Sequence, residues 1–218
     1  MPVKVGLQYI EGWKESMEDE VRAYEQEPIV KGQIVCYGPS NFTRWSKKWG
    51  NTPIAEMLPG KSGKPCVINR GFGSSCAEHQ LYYYHRMIRP LEPKVLVYSC
   101  AGNGASWGYT NEELWELGQR VIAYARTDFP DIRIYLCGPK ASIRTDEKAY
   151  QKISEFANWM KEVAEATPNC FFIDILNHPY MAGRKDIFIE DGIHFNKEGY
   201  ELYAKIFREA LAEELEKY

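Results

Sequence analysis

Short apolar runs separated by longer stretches of helical spacing set the rhythm of this chain. The runs cover residues 33–37, 66–69, 94–99, 132–137 and 170–174, each closed by glycine, proline or asparagine-rich turns. The run at 94–99 shows no polar alternation, and continuous apolar strands belong to parallel sheets covered on both faces. Between the strands, Leu114, Leu117, Val121, Ile122 and Ala125 predict a helix over 111–127. Ile153, Phe156, Met160 and Val163 predict another over 146–166, and Tyr200, Tyr203, Ile206, Phe207 and Leu211 mark the inward stripe of a last one. A helix also runs from the loop after the second strand to about Arg89, whereas 42–57 is helical or irregular. Near the start, Trp13, Met17, Val21 and Tyr24 recur every three or four residues, which predicts an amphipathic helix outside the main core, covering a sheet edge or face.

Strand and helix alternate five times, so the expected fold is a three-layer α/β/α sandwich around a five-stranded parallel sheet with right-handed crossovers. The expected strand order is the flavodoxin-like 2-1-3-4-5. One domain over 1–218, with a helical extension at about 11–27, accounts for the length. In such sheets ligands sit beyond the carboxyl ends of the strands. The loops after strands one, two and three should therefore share a rim with a loop near the C-terminus.

Charge and composition narrow the partners. The net charge is −3, with acids and bases dispersed, so neither nucleic acid nor an anionic membrane surface is expected to bind. No stretch reaches the roughly 20 apolar residues of a membrane span and no secretory leader is evident, which predicts a cytoplasmic protein. The six cysteines form no Cys-x-x-Cys pair. Cys36, Cys66, Cys100, Cys137 and Cys170 fall in or beside apolar runs, as reduced core thiols do, and no Cys/His cluster suggests a metal. A homo-oligomer is left open.

The candidate chemistry lies on the expected rim. Asp191-Gly192-Ile193-His194 places a carboxylate three residues before an imidazole, with a glycine to let both face one side and Asn196 to cap the helix that follows. A histidine that takes a proton from a hydroxyl needs its other ring nitrogen held by an acceptor, which Asp191 can supply. Ser40, at the first strand-to-helix junction, is the candidate nucleophile. The Ser40 amide, the Ser74 amide (with Gly73 in reserve) and the Asn103 carboxamide could form an oxyanion hole. Each feature also has an ordinary structural reading: Ser40 as a helix cap, the glycines and Asn103 as turn residues, Asp191 and His194 as a loop pair. His178, His79 and His85 have no supporting partner by sequence, and neither do Cys76 and Cys100 as nucleophiles. Trp45 and Trp107 could floor a sugar site or fill core edges.

Gly38-Pro39-Ser40, Asn69-Arg70-Gly71-Phe72-Gly73, Asn103 and Asp191-Gly192-Ile193-His194 match in order the four blocks of the SGNH (GDSL-type) ester hydrolases. Residues 67–73 and 190–200 resemble its bacterial platelet-activating-factor-acetylhydrolase-like branch. The resemblance spans the chain from about the first helix onward and implies that Ser40, Asp191 and His194 form the catalytic triad of an esterase that needs no cofactor. The departures are Pro39 before the nucleophile, Ser74 where the family has its oxyanion glycine, and Ala101 and Gly104 around Asn103. A serine can replace that glycine if its backbone angles permit, since the family uses the amide. The implied activity is removal of short acyl groups, acetyl foremost, from small-molecule or carbohydrate esters. A lysophospholipase or thioesterase acting on longer chains, and a silent binding module on the same fold, are the alternatives.

Overall fold

The computed structural model describes residues 10–104 and 108–218, with the backbone alone for 10–16. Five strands, β1 (Ile34–Gly38), β2 (Val67–Gly71), β3 (Val95–Tyr98), β4 (Arg133–Cys137) and β5 (Cys170–Ile173), form one parallel sheet in the order 2-1-3-4-5. This is the expected α/β fold and order. The register puts Gly38 opposite Gly71 and Tyr37 opposite Tyr98, so the chain leaves β1, β2 and β3 at one level.

Successive residues of the strands enter opposite cores, as the pleat requires. Val35, Tyr37, Leu96, Tyr98, Ile134 and Leu136 face one layer, built from α4 (Ala77–Met87), α5 (Asn111–Asp128) and α6 (Glu147–Ala166). Ile34, Cys36, Val95, Val97, Tyr135 and Cys137 face the other, which contains α2 (Ser40–Thr43), α3 (Ile54–Met57) and α7 (Lys197–Ala210). A short α8 (Ala212–Leu215) follows. Buried apolar surface on both sides explains why the central strands lack polar alternation.

One expectation is corrected and one open choice is decided. The first helix, α1 (Ile10–Glu25), does not lie outside the core: Met17 and Val21 are fully buried among the side chains of α4. Tyr24 also donates from its hydroxyl to the Gly71 carbonyl at 2.7 Å, at the end of the edge strand. Of the two readings left open for Trp45, a sugar floor or a core filler, the structure shows the second: it is completely buried between Tyr200, Tyr203 and Phe207, with ring centroids 5.2–5.6 Å away. Trp107 lies outside the described residues.

The segment 42–57 resolves into single turns, α2, a 3₁₀ turn over Lys47–Trp49, and α3. Polar side chains satisfy the backbone in place of a longer helix: Ser46 Oγ donates to the Thr43 carbonyl at 2.8 Å and Asn51 Nδ2 to that of Arg44 at 2.8 Å.

Candidate active site

Ser40 is the first residue of α2, not its cap; Pro39 occupies the cap position and loses nothing there by lacking an amide hydrogen. The one-turn helix sits directly on β2. A Cβ at Gly71 would collide with the Thr43 amide nitrogen and Phe42 Cβ, so only glycine allows this approach. Asn69 fixes the seat: its Nδ2 donates to the Phe42 carbonyl at 2.7 Å while its Oδ1 accepts the Gly71 amide at 2.9 Å. Tyr200 of α7 adds a bond from its hydroxyl to the Asn41 carbonyl at 3.1 Å.

The loop before α7 brings the other two residues to Ser40. Gly192 adopts φ +69°, a left-handed turn that glycine makes without strain. Asp191 Oδ1 accepts the amides of Ile193 at 2.8 Å and His194 at 2.9 Å, which leaves Oδ2 aimed at the ring. His194 Nδ1 is 2.6 Å from that oxygen, and its Nε2 is 2.9 Å from Ser40 Oγ. The carboxylate accepts only, so Nδ1 carries the proton and Nε2 is free to accept from the hydroxyl. Asn196 caps α7 by accepting the Gly199 amide at 3.0 Å, as its position suggested.

The electrostatics favour a neutral imidazole beside an ionised carboxylate. Partial burial works against the charge of Asp191, but the His194 amide and ring and the Ile193 amide outweigh it and hold the carboxyl well below the usual range. Burial pushes His194 below its ordinary pKa; the bond to Asp191 pulls it up, while Arg44 and Lys140 add to the push down. Arg44 lies over the Trp49 ring at 4.4 Å and reaches Asp191 Oδ2 at 3.5 Å. Lys140 donates to the Ile193 carbonyl, with its Nζ 5.1 Å and 4.9 Å from the Phe188 and Phe195 ring centres. Enclosure of that ammonium pushes its pKa down to about 8, against the pull of Asp191. Arg44 and Lys140 had not been recognised in the sequence. Lys140 follows Gly138-Pro139 at the end of β4, and the expected rim had stopped at the third strand.

The proposed oxyanion donors are placed as follows. Ser74 has φ +60°, the conformation a glycine would take there, so the serine accepts the backbone its position demands. Among the described residues neither the Ser40 nor the Ser74 amide donates to another protein group. The Gly73 amide instead donates to Glu20 Oε2 at 2.7 Å, which removes Gly73 as the reserve donor. Asn103 Nδ2 donates to the Ser75 carbonyl at 3.0 Å with one of its two hydrogens.

The remaining candidates have structural surroundings. His178 packs on Tyr180 with ring centres 4.8 Å apart, and its Nε2 is 3.6 Å from Glu209. His79 Nδ1 accepts the Cys76 amide at the start of α4, and His85 Nδ1 lies 3.1 Å from the Tyr82 carbonyl. All six cysteines are buried and unpaired. Burial pushes the Cys76 and Cys100 thiols up, to about 11 and about 12, which keeps them protonated and poor nucleophiles.

A parallel sheet in this order, with these helices around it, is the SGNH hydrolase α/β fold. Solved structures agree across most of the chain. A Streptococcus pneumoniae structure named for platelet activating factor superposes with a TM-score of 0.75 at 19% identity, covering 94% of this chain and 97% of its own. A GDSL-like lipase from Bacteroides thetaiotaomicron gives 0.71 at 16% identity, covering 90% and 97%. An acetyl xylan esterase gives 0.66 at 21% identity, covering 82% and 99%. No curated protein matches the chain. The chain belongs to the GDSL-like Lipase/Acylhydrolase family, whose model matches residues 36–202, from β1 into α7.

Proposed function

We propose that the protein is a serine ester hydrolase that removes short acyl groups, acetyl foremost, from small-molecule or carbohydrate esters. The observation that carries this reading is the unbroken chain from Ser40 Oγ through the His194 ring to Asp191, at 2.9 Å and 2.6 Å. As Ser40 Oγ bonds to the ester carbon, its proton passes to His194 Nε2, and Asp191 steadies the imidazolium. The Ser40 and Ser74 amides and the second Asn103 amide hydrogen take the charge on the carbonyl oxygen. Collapse of this adduct breaks the ester C–O bond, and the leaving alcohol takes the proton from Nε2. Water then attacks the acyl-serine, giving its proton to Nε2. Release of the acid returns that proton to Ser40 Oγ.

Similarity to an acetyl xylan esterase supports a short acyl group on a carbohydrate. Ile143, Ile189 and Ile193 are exposed, and the Ile143 amide bonds Gly192 at 3.0 Å, within the Asp191–His194 turn; this apolar margin favours the second reading, a lysophospholipase or thioesterase on longer chains. A p-nitrophenyl ester series separates the two. Rates falling from acetate to octanoate support the first, and preference for eight carbons or more replaces it with the second. Fluorophosphonate should label the parent on Ser40 and leave S40A unlabelled. A parent that is neither labelled nor active on any ester would be a binding module.

A further inference from the structure

Ser74 is an L-residue held at φ +60°, and such a residue persists only where its surroundings fix it. On its C-terminal side two side chains do so. Asn103 Nδ2 donates to the Ser75 carbonyl at 3.0 Å, and Gln80 Nε2 lies 3.3 Å from Ser75 Oγ and 3.2 Å from the Ser99 carbonyl at the end of β3. Gln80 is fully buried, so this anchor belongs to the core. On the N-terminal side lies Gly73, whose backbone is the softest in the loop. Its amide is held by one group, Glu20 Oε2 at 2.7 Å, which comes from α1. Burial raises the pKa of Glu20, against the Gly73 bond and the more distant Lys48, so the carboxylate sits where its environment disfavours charge. Tyr24, one turn further along α1, holds the Gly71 carbonyl at 2.7 Å and sets the helix beside this loop.

We propose that Glu20 is a positioning residue: from outside the sheet-and-loop framework it pins the Gly73 amide and so keeps the next amide, that of Ser74, facing the oxyanion. The proposal rests on the esterase reading for its kinetic consequence. The clamp itself is observable without catalysis.

The test combines amide hydrogen exchange at Gly73, read by NMR, with steady-state hydrolysis of p-nitrophenyl acetate. E20A should speed Gly73 exchange by at least about tenfold and lower kcat about tenfold, the rate equivalent of one left-handed residue, with KM within about twofold. E20Q keeps an acceptor oxygen for the same amide and should stay within about threefold of the parent. In an S74G background, where the left-handed turn needs no outside support, E20A should cost less than about threefold. Unequal costs in the two backgrounds separate aiming of the Ser74 amide from a general loosening of α1, which would act equally in both. If E20A does not fold, E20D, one methylene short of Gly73, is measured against the same thresholds. The proposal is overturned by unchanged Gly73 exchange, by kcat within twofold of the parent, or by an undiminished loss in S74G. A parent inactive on every ester would strike the esterase reading, while the exchange result would still decide whether Glu20 holds the loop.

Discussion

Replacing Asp191 by asparagine should cost about four orders of magnitude in kcat, and the structure dictates why. Asp191 Oδ1 accepts two backbone amides, those of Ile193 at 2.8 Å and His194 at 2.9 Å. Both are donors, so the carboxamide must place its oxygen there and its NH₂ where Oδ2 had been, against His194 Nδ1. Turning it over would give up two amide bonds of about 1 kcal/mol each and leave both donors facing NH₂, at about 1–3 kcal/mol apiece. Arg44, 3.5 Å from Oδ2, prefers an oxygen and opposes this orientation, but one long, partly exposed contact is worth less than the amide pair. Facing a donor, Nδ1 must accept, so the ring proton moves to Nε2. That nitrogen then points a hydrogen at Ser40 and cannot take one. The same inversion of tautomer in the serine protease triad costs about 10⁴-fold in kcat, and that is the loss expected here. The assay is p-nitrophenyl acetate hydrolysis at neutral pH, with thermal unfolding as the control. Because the amide bonds survive, stability should fall by no more than about 1 kcal/mol. A D191N protein retaining a tenth or more of the parental kcat would refute the derivation.

If the second Asn103 amide hydrogen serves the oxyanion and not the ground state, as the proposed mechanism requires, Asn103→Ala should lower kcat by roughly 10² to 10³-fold with little change in KM; equal effects on both constants would point to loop collapse instead. Activity should rise with pH through the His194 pKa, which burial sets below the ordinary 6.5, so the acid limb lies on the acidic side of that value. K140M removes one of the cations that disfavour the imidazolium and should move this limb to higher pH; a limb that moves down, or not at all, contradicts the assignment. Gly71→Ala drives a methyl into α2 and should cost about 3 kcal/mol, seen as a fall in Tm of roughly 6–12 °C by calorimetry.

What the sequence revealed depended on whether the signal was local. The strands were legible because burial on both faces leaves uninterrupted apolar runs, and regular alternation with helices pointed to a parallel sheet; the order 2-1-3-4-5 does not follow from alternation and was an expectation that the structure bears out. Asp191, Gly192, His194 and Asn196 were legible because carboxylate, turn, ring and cap lie within six residues. Ser40 lies 154 positions from His194, so no local spacing joins them, and in the sequence only the family resemblance of the ordered blocks did so. The contacts that were missed are long-range and made by residue types with no distinctive pattern. Glu20 on Gly73 crosses 53 positions, and Lys140 on Ile193 crosses another 53. The helical stripe of α1 holds at Met17, Val21 and Tyr24, the Trp13 side chain lying outside the described residues, but periodicity gives the apolar face without saying how deep it is buried, so its entry into the core went unseen. Trp45 shows the same gap, since composition alone cannot separate a stacking platform from a packed indole.

The sheet terminates on one side at β2, and an open strand edge is an invitation to neighbouring molecules. Tyr24 takes the carbonyl of Gly71 there, and Glu27 pairs at 2.6 Å with the buried guanidinium of Arg70, which itself lies over the Tyr24 ring. The first helix and the residues just after it thereby act as a bumper: polar groups on the margin of the sheet are already engaged, and charge guards the approach. Detaching this segment would bare a template for intermolecular strand addition, so soluble yield should suffer along with turnover.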